Sequence, residues 1–159
     1  MAGACPGVGR SAGWLVVVFL LAGCQEAGAP DVPAPDGWAS IAGQRIALEI
    51  ARTPEEQRLG LGERDALAWD RGMLFVYETP GFPRFWMKGM RFDIDIVWIR
   101  EGRIVEISHR VRHVPGENGP VVAPRSLADT VLEVPAGYAR TRAWRPGQRV
   151  EIEIVSPAR

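Results

Sequence analysis

Residues Phe85–Ile99 read FWMKGMRFDIDIVWI, and the second half of this stretch decides the fold. If Ile94–Ile99 is a β-strand, its side chains alternate between two faces, and both faces are apolar apart from Asp95. A strand with this pattern is covered on both sides. A carboxylate buried in such a strand must be paired or hydrogen-bonded, because otherwise it would take up a proton.

The first half of the stretch, Phe85–Met90, offers a partner for that carboxylate. As a second strand it would place Trp86, Lys88 and Met90 on one face, with the ammonium group beside the indole ring. The pattern therefore predicts two neighbouring strands in which Lys88 and Asp95 both need partners. They find those partners either in each other, as a structural pair, or in a ligand.

A strand and a short helix are predicted on the N-terminal side of this stretch. Residues Arg45–Ile50 alternate between apolar and polar side chains, which is typical of a strand covered on one side. Thr53 is then a candidate helix N-cap, and Pro54 and two glutamates suit the first turn of a helix. This helix should end at Gly60, since glycine weakens a helix interior.

The rest of the chain is also rich in strand patterns. We predict strands at Gly72–Tyr77, Ile104–His113, Thr130–Val134 and Val150–Val155, one or two helical turns within Ala139–Trp144, and a long loop over Val114–Asp129. These elements predict a mainly β chain, or β-rich α+β, with one or two short helices. The expected architecture is a compact antiparallel β-barrel-like domain, with an α+β meander as the alternative.

The composition is that of an ordinary globular protein of one domain. The chain has 159 residues, 47% of them apolar and 24% charged, and its 19 basic residues balance 19 acidic ones. A zero net charge means that the chain has no overall excess of positive charge to attract nucleic acid, so we expect no nucleic-acid partner. We expect a monomer, and one without disulfides in its folded part, because both cysteines, Cys5 and Cys24, lie near the N-terminus.

The N-terminus has the layout of an exported lipoprotein. Arg10 is followed by an apolar run of nine residues from Trp14 to Ala22, which suits a signal peptide and is too short for a bilayer-spanning helix of about 20 residues. Leu21-Ala22-Gly23-Cys24 resembles the lipobox of bacterial lipoproteins, in which the cysteine accepts a lipid. We therefore predict lipidation at Cys24 and attachment to the membrane of the cell envelope. An aspartate directly after the lipidated cysteine resembles an inner-membrane retention signal. This chain has Gln25 at that position, which favours the outer membrane, facing the periplasm.

This layout divides the chain into three parts. Residues 1–23 are the predicted signal peptide, and residues 24–37 form a tether rich in proline, alanine and glycine. Residues 38–159 are predicted to form the single β-rich domain.

Motifs for catalysis or metal binding are sparse. The sequence has no GxSxG motif, no P-loop and no dinucleotide fingerprint. His109 and His113 would share a strand face, but two ligands do not make a zinc site. Asp93-x-Asp95 resembles a divalent-cation motif, yet no further acidic cluster is near it in the sequence. We therefore predict no metal, no cofactor and no identified catalytic residue, and the balance is against an enzyme.

Several segments together resemble one known family. They are Arg58-Leu59-Gly60-Leu61, Arg64, Gly72-Met73-Leu74-Phe75, Phe85-Trp86-Met87-Lys88, Asp95 and Leu132-Glu133-Val134-Pro135-Ala136-Gly137. Their order and spacing are similar to the successive motifs of domain of unknown function 192, over about Ile46–Ile154. The chain departs from the commoner form of the family in having Gly89-Met90 after the lysine and Gly62 in place of a methionine. The resemblance implies a compact, mostly β unit that is often exported, and it implies no reaction.

Three functions are consistent with these observations. The first is a lipid-anchored module that binds a small molecule or an envelope component near Arg64, Trp86, Lys88 and Asp95, since aromatic and polar groups in a buried segment are typical of ligand sites. The second is a structural or assembly partner of another envelope protein. The third is a hydrolase that uses Asp95 or a histidine as acid or base. We rank them in that order.

Overall fold

The computed structural model describes residues 34–155. The predicted signal peptide, Leu21–Cys24 and most of the predicted tether therefore lie outside the described residues. The described elements, in chain order, are β1 (Gly37–Ile41), β2 (Gln44–Ala51), α1 (Pro54–Leu59), β3 (Arg71–Gly81), β4 (Phe85–Trp86), β5 (Ile94–Arg100), β6 (Arg103–Val111), β7 (Val121–Val122), β8 (Ala128–Pro135), α2 (Tyr138–Thr141) and β9 (Val150–Ile154).

Seven strands form one sheet in the order β6-β5-β8-β3-β2-β1-β9, and β4 pairs with β7 in a small second sheet. All neighbours in the large sheet are antiparallel except β2 and β3, which are parallel. The start of β6 returns to the segment before β9, where Arg103 bridges Arg149 and the Ile104 N–H donates to the Gln148 carbonyl at 3.0 Å. The sheet therefore curls into a half-barrel, and the predicted mainly β, barrel-like fold with short helices is confirmed.

Helix α1 begins and ends where the sequence predicts. The Thr53 hydroxyl accepts from the Glu56 N–H at 3.1 Å, and the Glu56 carboxylate accepts from the Thr53 N–H at 2.8 Å. This reciprocal pair is a capping box, which satisfies two of the N–H groups that a helix start leaves free. The helix ends at Leu59, with Gly60 as its C-cap. The chain therefore turns at Gly60 toward the segment that forms one wall of the candidate site.

The large sheet is covered on both faces, as the pattern of Ile94–Ile99 predicts. One apolar cluster contains Val97, Ile99, Leu132 and Val134 and packs against α2. The other contains Ile94, Ile96 and Trp98 and packs under the loops that carry Met87 and Met90. Alternate residues of β5 thus point to opposite sides of the sheet, and this separation decides which of the predicted site residues can meet.

Two expectations about strands need correction. Strand β1 was not predicted, because Gly37–Ile41 is a short segment whose strand character depends on pairing with β2 and β9. The predicted strand over Phe85–Met90 is limited to Phe85–Trp86. The chain leaves the strand there because a turn follows, in which the Met90 N–H donates to the Met87 carbonyl at 3.2 Å.

The part of the chain from 34 to 155 contains no helix that is long and apolar enough to cross a membrane.

Candidate functional site

A groove with a volume of about 620 Å³ lies over the second face of the sheet. Its walls come from three segments, within residues 58–63, 86–91 and 113–118. The Glu63 N–H donates to the Gly89 carbonyl at 2.8 Å, so a backbone hydrogen bond joins two of these walls. This cavity is called the groove below, and its size is in the range of small-molecule sites.

Packed neighbours hold Trp86 at the edge of the groove. Phe85, the residue before it, packs edge-on against Phe75 and Trp98 at centroid distances of 4.8 and 5.5 Å. Met87, the residue after it, is buried and donates its N–H to the Pro120 carbonyl at 3.2 Å. Because its neighbours on both sides are fixed, the Trp86 side chain points outward and remains 49% exposed.

Lys88 sits at the tip of the turn that follows. Met87 and Met90 are both buried, and Gly89 between them adopts φ +71°, a conformation that glycine takes readily. The Lys88 ammonium lies 5.8 Å from the centroid of the Trp86 ring, within the range of a cation–π contact. The sequence prediction that Trp86 and Lys88 lie together is therefore correct in geometry, although a turn rather than a strand brings this about.

A smaller pocket of about 150 Å³ adjoins the groove and shares Arg58, Trp86 and Lys88 with it. Glu133 of β8 lines this pocket and is 5% exposed. In the sheet it stands between Met73 of β3 and Ile96 of β5. Its Oε2 atom is buried and has no hydrogen-bond partner among the described residues. We call this cavity the Glu133 pocket.

Burial keeps the Glu133 carboxyl in its neutral form. Desolvation raises the pKa of Glu133 from 4.5 to about 8, and the positive charge of Arg64 opposes only part of this shift. Arg64 itself is paired with Glu49, with 2.8 Å between Nη1 and Oε2. Burial, followed by the nearby Glu133 charge, raises the pKa of Tyr77, which also lines the pocket. At neutral pH Glu133 is therefore mainly a hydroxyl donor rather than an anion.

The rim of the Glu133 pocket is cationic. Arg58, Arg84 and Lys88 line it and are exposed. Within residues 34–155, no carboxylate forms an ion pair with any of the three. Since Glu133 itself is mainly neutral, the pocket has an excess of positive charge.

Asp95 does not belong to this site. It is 0% exposed and lies on the opposite face of the sheet, where its carboxylate accepts from the N–H groups of Arg110 at 2.8 Å, Gly137 at 3.0 Å and Ala139 at 3.0 Å. The predicted pair of Lys88 and Asp95 is therefore wrong, because alternation along β5 turns Asp95 away from the groove. Asp95 joins the end of β6 to the start of α2, which is a structural role.

The other predicted residues are distributed as follows. Trp86 and Lys88 line both cavities, whereas Arg64 lines neither and acts on Glu133 through its charge. His113 lines the groove, and its Nδ1 lies 2.7 Å from Asp93 Oδ1. Burial raises the pKa of Asp93, but hydrogen bonds from the His113 side chain and backbone outweigh burial and leave this pKa below its ordinary value. Asp93 and Asp95 thus have different partners, and no cluster of metal-binding side chains occurs within the described range.

Glu133 is the site residue that sequence reasoning missed. Within Thr130–Val134 it follows Val131 and Leu132 and precedes Val134, so it is an acid in a strand with apolar residues on both faces. Like Asp95, Glu133 must be paired, hydrogen-bonded or protonated if such a strand buries it. Which of the two carboxyl groups remains without a partner depends on the folded chain and not on this local pattern.

The fold and the two cavities define a compact, β-rich domain with a groove over one sheet face. The chain belongs to the family described as "Uncharacterized ACR", domain of unknown function 192, whose model matches residues 38–152. This is the family that the sequence motifs resemble. No curated protein matches the chain.

Two solved structures are similar to it. A protein of unknown function from Novosphingobium aromaticivorans DSM 12444 has a TM-score of 0.65 and 28% identity, over 72% of this chain and 83% of that one. A protein of Sinorhizobium meliloti 1021, provisionally described as a transcription regulator, has a TM-score of 0.67 and 27% identity, over 76% of this chain and 95% of that one.

Proposed function

We propose that this protein is a lipid-anchored module of the bacterial cell envelope that binds a small molecule in the groove. The observation that carries the proposal is the half-exposed Trp86 ring, which is held in place by its packed neighbours Phe85 and Met87 and has the Lys88 ammonium over it at 5.8 Å. A rigid aromatic ring at a concave surface supplies large contact area at low entropic cost, and tryptophan is enriched at binding hot spots. Folding leaves part of this ring exposed to solvent. A ligand that covers the ring can therefore gain the free energy of burying that apolar surface.

Two other functions receive less support. A hydrolase that uses Asp95 would need an accessible carboxyl, and Asp95 is enclosed and occupied by three backbone N–H groups. Regulation of transcription, as described for the Sinorhizobium meliloti protein, would favour a basic surface if it involved DNA. The present chain has equal numbers of basic and acidic residues. An assembly role through exposed apolar residues is retained as an outcome of the test below.

Replacement of Trp86 or Lys88 by alanine should weaken ligand binding at least tenfold, as expected for truncation of a hot-spot residue worth about 1.4 kcal/mol or more. The measurement is a ligand-observed NMR screen of a metabolite library against the full-length protein in non-ionic detergent, followed by titration of the hits. Lys88 is the only lysine in the sequence, so slower modification by an amine-reactive reagent would independently locate a hit in the groove.

The matched control is Trp69→Ala. Trp69 is 47% exposed, almost the same as Trp86, but it packs on Tyr138 of the other apolar cluster at a centroid distance of 5.1 Å. This variant should bind every hit as the wild type does. Equal affinity of wild type, Trp86→Ala and Lys88→Ala for all hits would contradict binding in the groove and leave the assembly role as the better explanation.

The lipid anchor is tested at Cys24, which lies outside the described residues. Cells grown with an alkyne-tagged fatty acid should label the wild-type protein, and Cys24→Ser should abolish the label because the accepting thiol is lost. Cys5→Ser is the control, since this cysteine lies within the predicted signal peptide, and it should be labelled normally. Full labelling of Cys24→Ser would refute the anchor at this position.

A further inference from the structure

We propose that the Glu133 pocket is the part of the site that takes the carboxylate of a small organic acid with an apolar body, which accepts a hydrogen bond from the Glu133 carboxyl. This proposal rests on the proposed function and names the chemical class of its ligand. Three features of the pocket support it, namely its floor, its rim and its walls.

The floor needs a hydrogen-bond partner. Glu133 is a 5% exposed carboxyl, and its Oε2 atom has no partner within residues 34–155. A buried polar group without a partner costs free energy that a suitable ligand can recover. Because burial holds the pKa of Glu133 near 8, the group carries a proton at neutral pH and presents an O–H donor. A ligand amine would find no anion here, whereas a carboxylate oxygen would find a donor.

The rim selects for negative charge. Arg58, Arg84 and Lys88 line the pocket and are exposed, and none of them has an ion-pair partner among the residues described. Arginine in particular presents several N–H groups in a fork that fits a carboxylate. An anion entering the pocket therefore meets unpaired cations at the rim and a hydroxyl donor at the floor, and no acid other than Glu133 lines the pocket.

The walls favour an organic acid over a free inorganic anion. Leu61, Phe75 and Met90 are buried apolar residues that line the pocket, and Phe85 and the Trp86 ring continue this surface. Phosphate or sulfate would leave these walls without an apolar partner, whereas an aromatic or branched aliphatic group would remove them from water. The pocket volume of about 150 Å³ limits that group to about one ring or a short branched chain.

The experiment uses benzoate as the probe, with benzamide, benzylamine and inorganic phosphate as comparisons, titrated by calorimetry into the full-length protein in non-ionic detergent. Benzoate should bind at pH 7 at least tenfold more tightly than any of the other three. Its affinity should fall about tenfold at pH 9, because only the protonated fraction of Glu133 is competent to donate. The other charged groups near Glu133 are Arg58, Arg64, Arg84 and Lys88. The raised pKa of Tyr77 keeps its hydroxyl neutral at both pH values.

Two variants distinguish a hydrogen-bond donor from a merely structural residue. Glu133→Gln keeps a donor of the same shape at every pH, so it should bind benzoate within about threefold of wild type at pH 7 and lose no affinity at pH 9. Glu133→Leu removes the donor and should weaken binding at least tenfold. Circular dichroism of both variants establishes that they are folded, and Glu133→Gln preserves the test if Glu133→Leu does not fold.

Failure of this inference can be told from failure of the proposed function. If metabolites of another class bind and lose affinity in Trp86→Ala, while benzoate neither binds nor competes, the carboxylate assignment is overturned and the groove function stands. Binding of phosphate or benzamide as tight as that of benzoate would also overturn it. So would a loss of benzoate affinity at pH 9 in Glu133→Gln that is as large as the loss in the wild type. If no ligand of any class responds to Trp86→Ala, the proposed function itself fails.

Discussion

Replacement of Asp95 by alanine is expected to lower the free energy of unfolding by about 3–5 kcal/mol, which is a large part of the stability of a typical domain. The carboxylate of Asp95 is fully buried and accepts from three backbone N–H groups at 2.8–3.0 Å. The alanine variant leaves all three donors buried without a partner. The measurement is urea unfolding of the full-length protein in non-ionic detergent, followed by tryptophan fluorescence.

The three hydrogen bonds to Asp95 all fix backbone that would otherwise relax. Arg110 adopts φ +49° and Gly137 adopts φ +87°, so Asp95 fixes two positions in the left-handed region. An added Cβ at Gly137 would lie 2.9 Å from Arg110 Nη2, so the Arg110 guanidinium would have to shift. Loss of the carboxylate should therefore loosen the end of β6 and the start of α2 first. Hydrogen exchange should show the largest increases at Arg110, Gly137 and Ala139.

Two further variants sharpen this prediction. Asp95→Asn has nearly the same shape, but its amide nitrogen would face N–H donors, so it should be destabilised in the same direction as Asp95→Ala. Asp65→Ala removes an exposed carboxylate that pairs with Arg91, and exposed pairs of this kind contribute about 0–1 kcal/mol. A loss of stability for Asp95→Ala no larger than that for Asp65→Ala would contradict the structural role.

Local patterns predicted most of the elements of the fold. The strand patterns of β2, β5 and β6 and the N-cap at Thr53 are signals carried by neighbouring residues. The parallel pairing of β2 with β3 has no such signal, because strand partners are chosen by long-range packing. Strand β1 was missed for the same reason, since Gly37–Ile41 acquires its strand geometry only from its two neighbours.

The candidate site was only partly predictable. Trp86 and Lys88 are close in sequence, so their association could be inferred from spacing alone. The hydrogen-bond donors to Asp95 are backbone N–H groups 15–44 residues away in sequence, which no side-chain pattern reveals. His109 Nδ1 also lies 3.8 Å from Asp95 Oδ2. The contrast between Asp95 and Glu133 shows where the sequence is insufficient. Both are acids in strands with two apolar faces, but only the folded chain supplies donors to one and leaves an oxygen of the other unpaired.

The unpaired carboxyl makes the stability of the protein depend on pH in a particular direction. The pKa of Glu133 is about 8 in the folded state, and the ordinary value of 4.5 applies in the unfolded state. Between these values the folded state holds a proton that the unfolded state has released. Stability from this group is therefore complete below about pH 4.5 and is lost as the pH rises through about 8. The free energy of unfolding should fall by at most roughly 1.4 kcal/mol per pH unit, or roughly 4 kcal/mol in all, between pH 5 and 8.

Glu133→Gln isolates this contribution, because glutamine has nearly the same shape and does not titrate. Urea unfolding at pH 5, 6, 7 and 8 should give a free energy of unfolding that falls with pH for the wild type and a flatter profile for Glu133→Gln. The stability of the variant relative to the wild type should therefore increase as the pH rises. The groups with lowered pKa values, Asp36, Glu56 and Asp93, change stability in the opposite direction and at lower pH. Contributions from every other group are common to both proteins and cancel in their difference. Parallel profiles would mean that Glu133 is ionised in the folded chain, and the hydrogen-bond donor proposed for the pocket would then be absent.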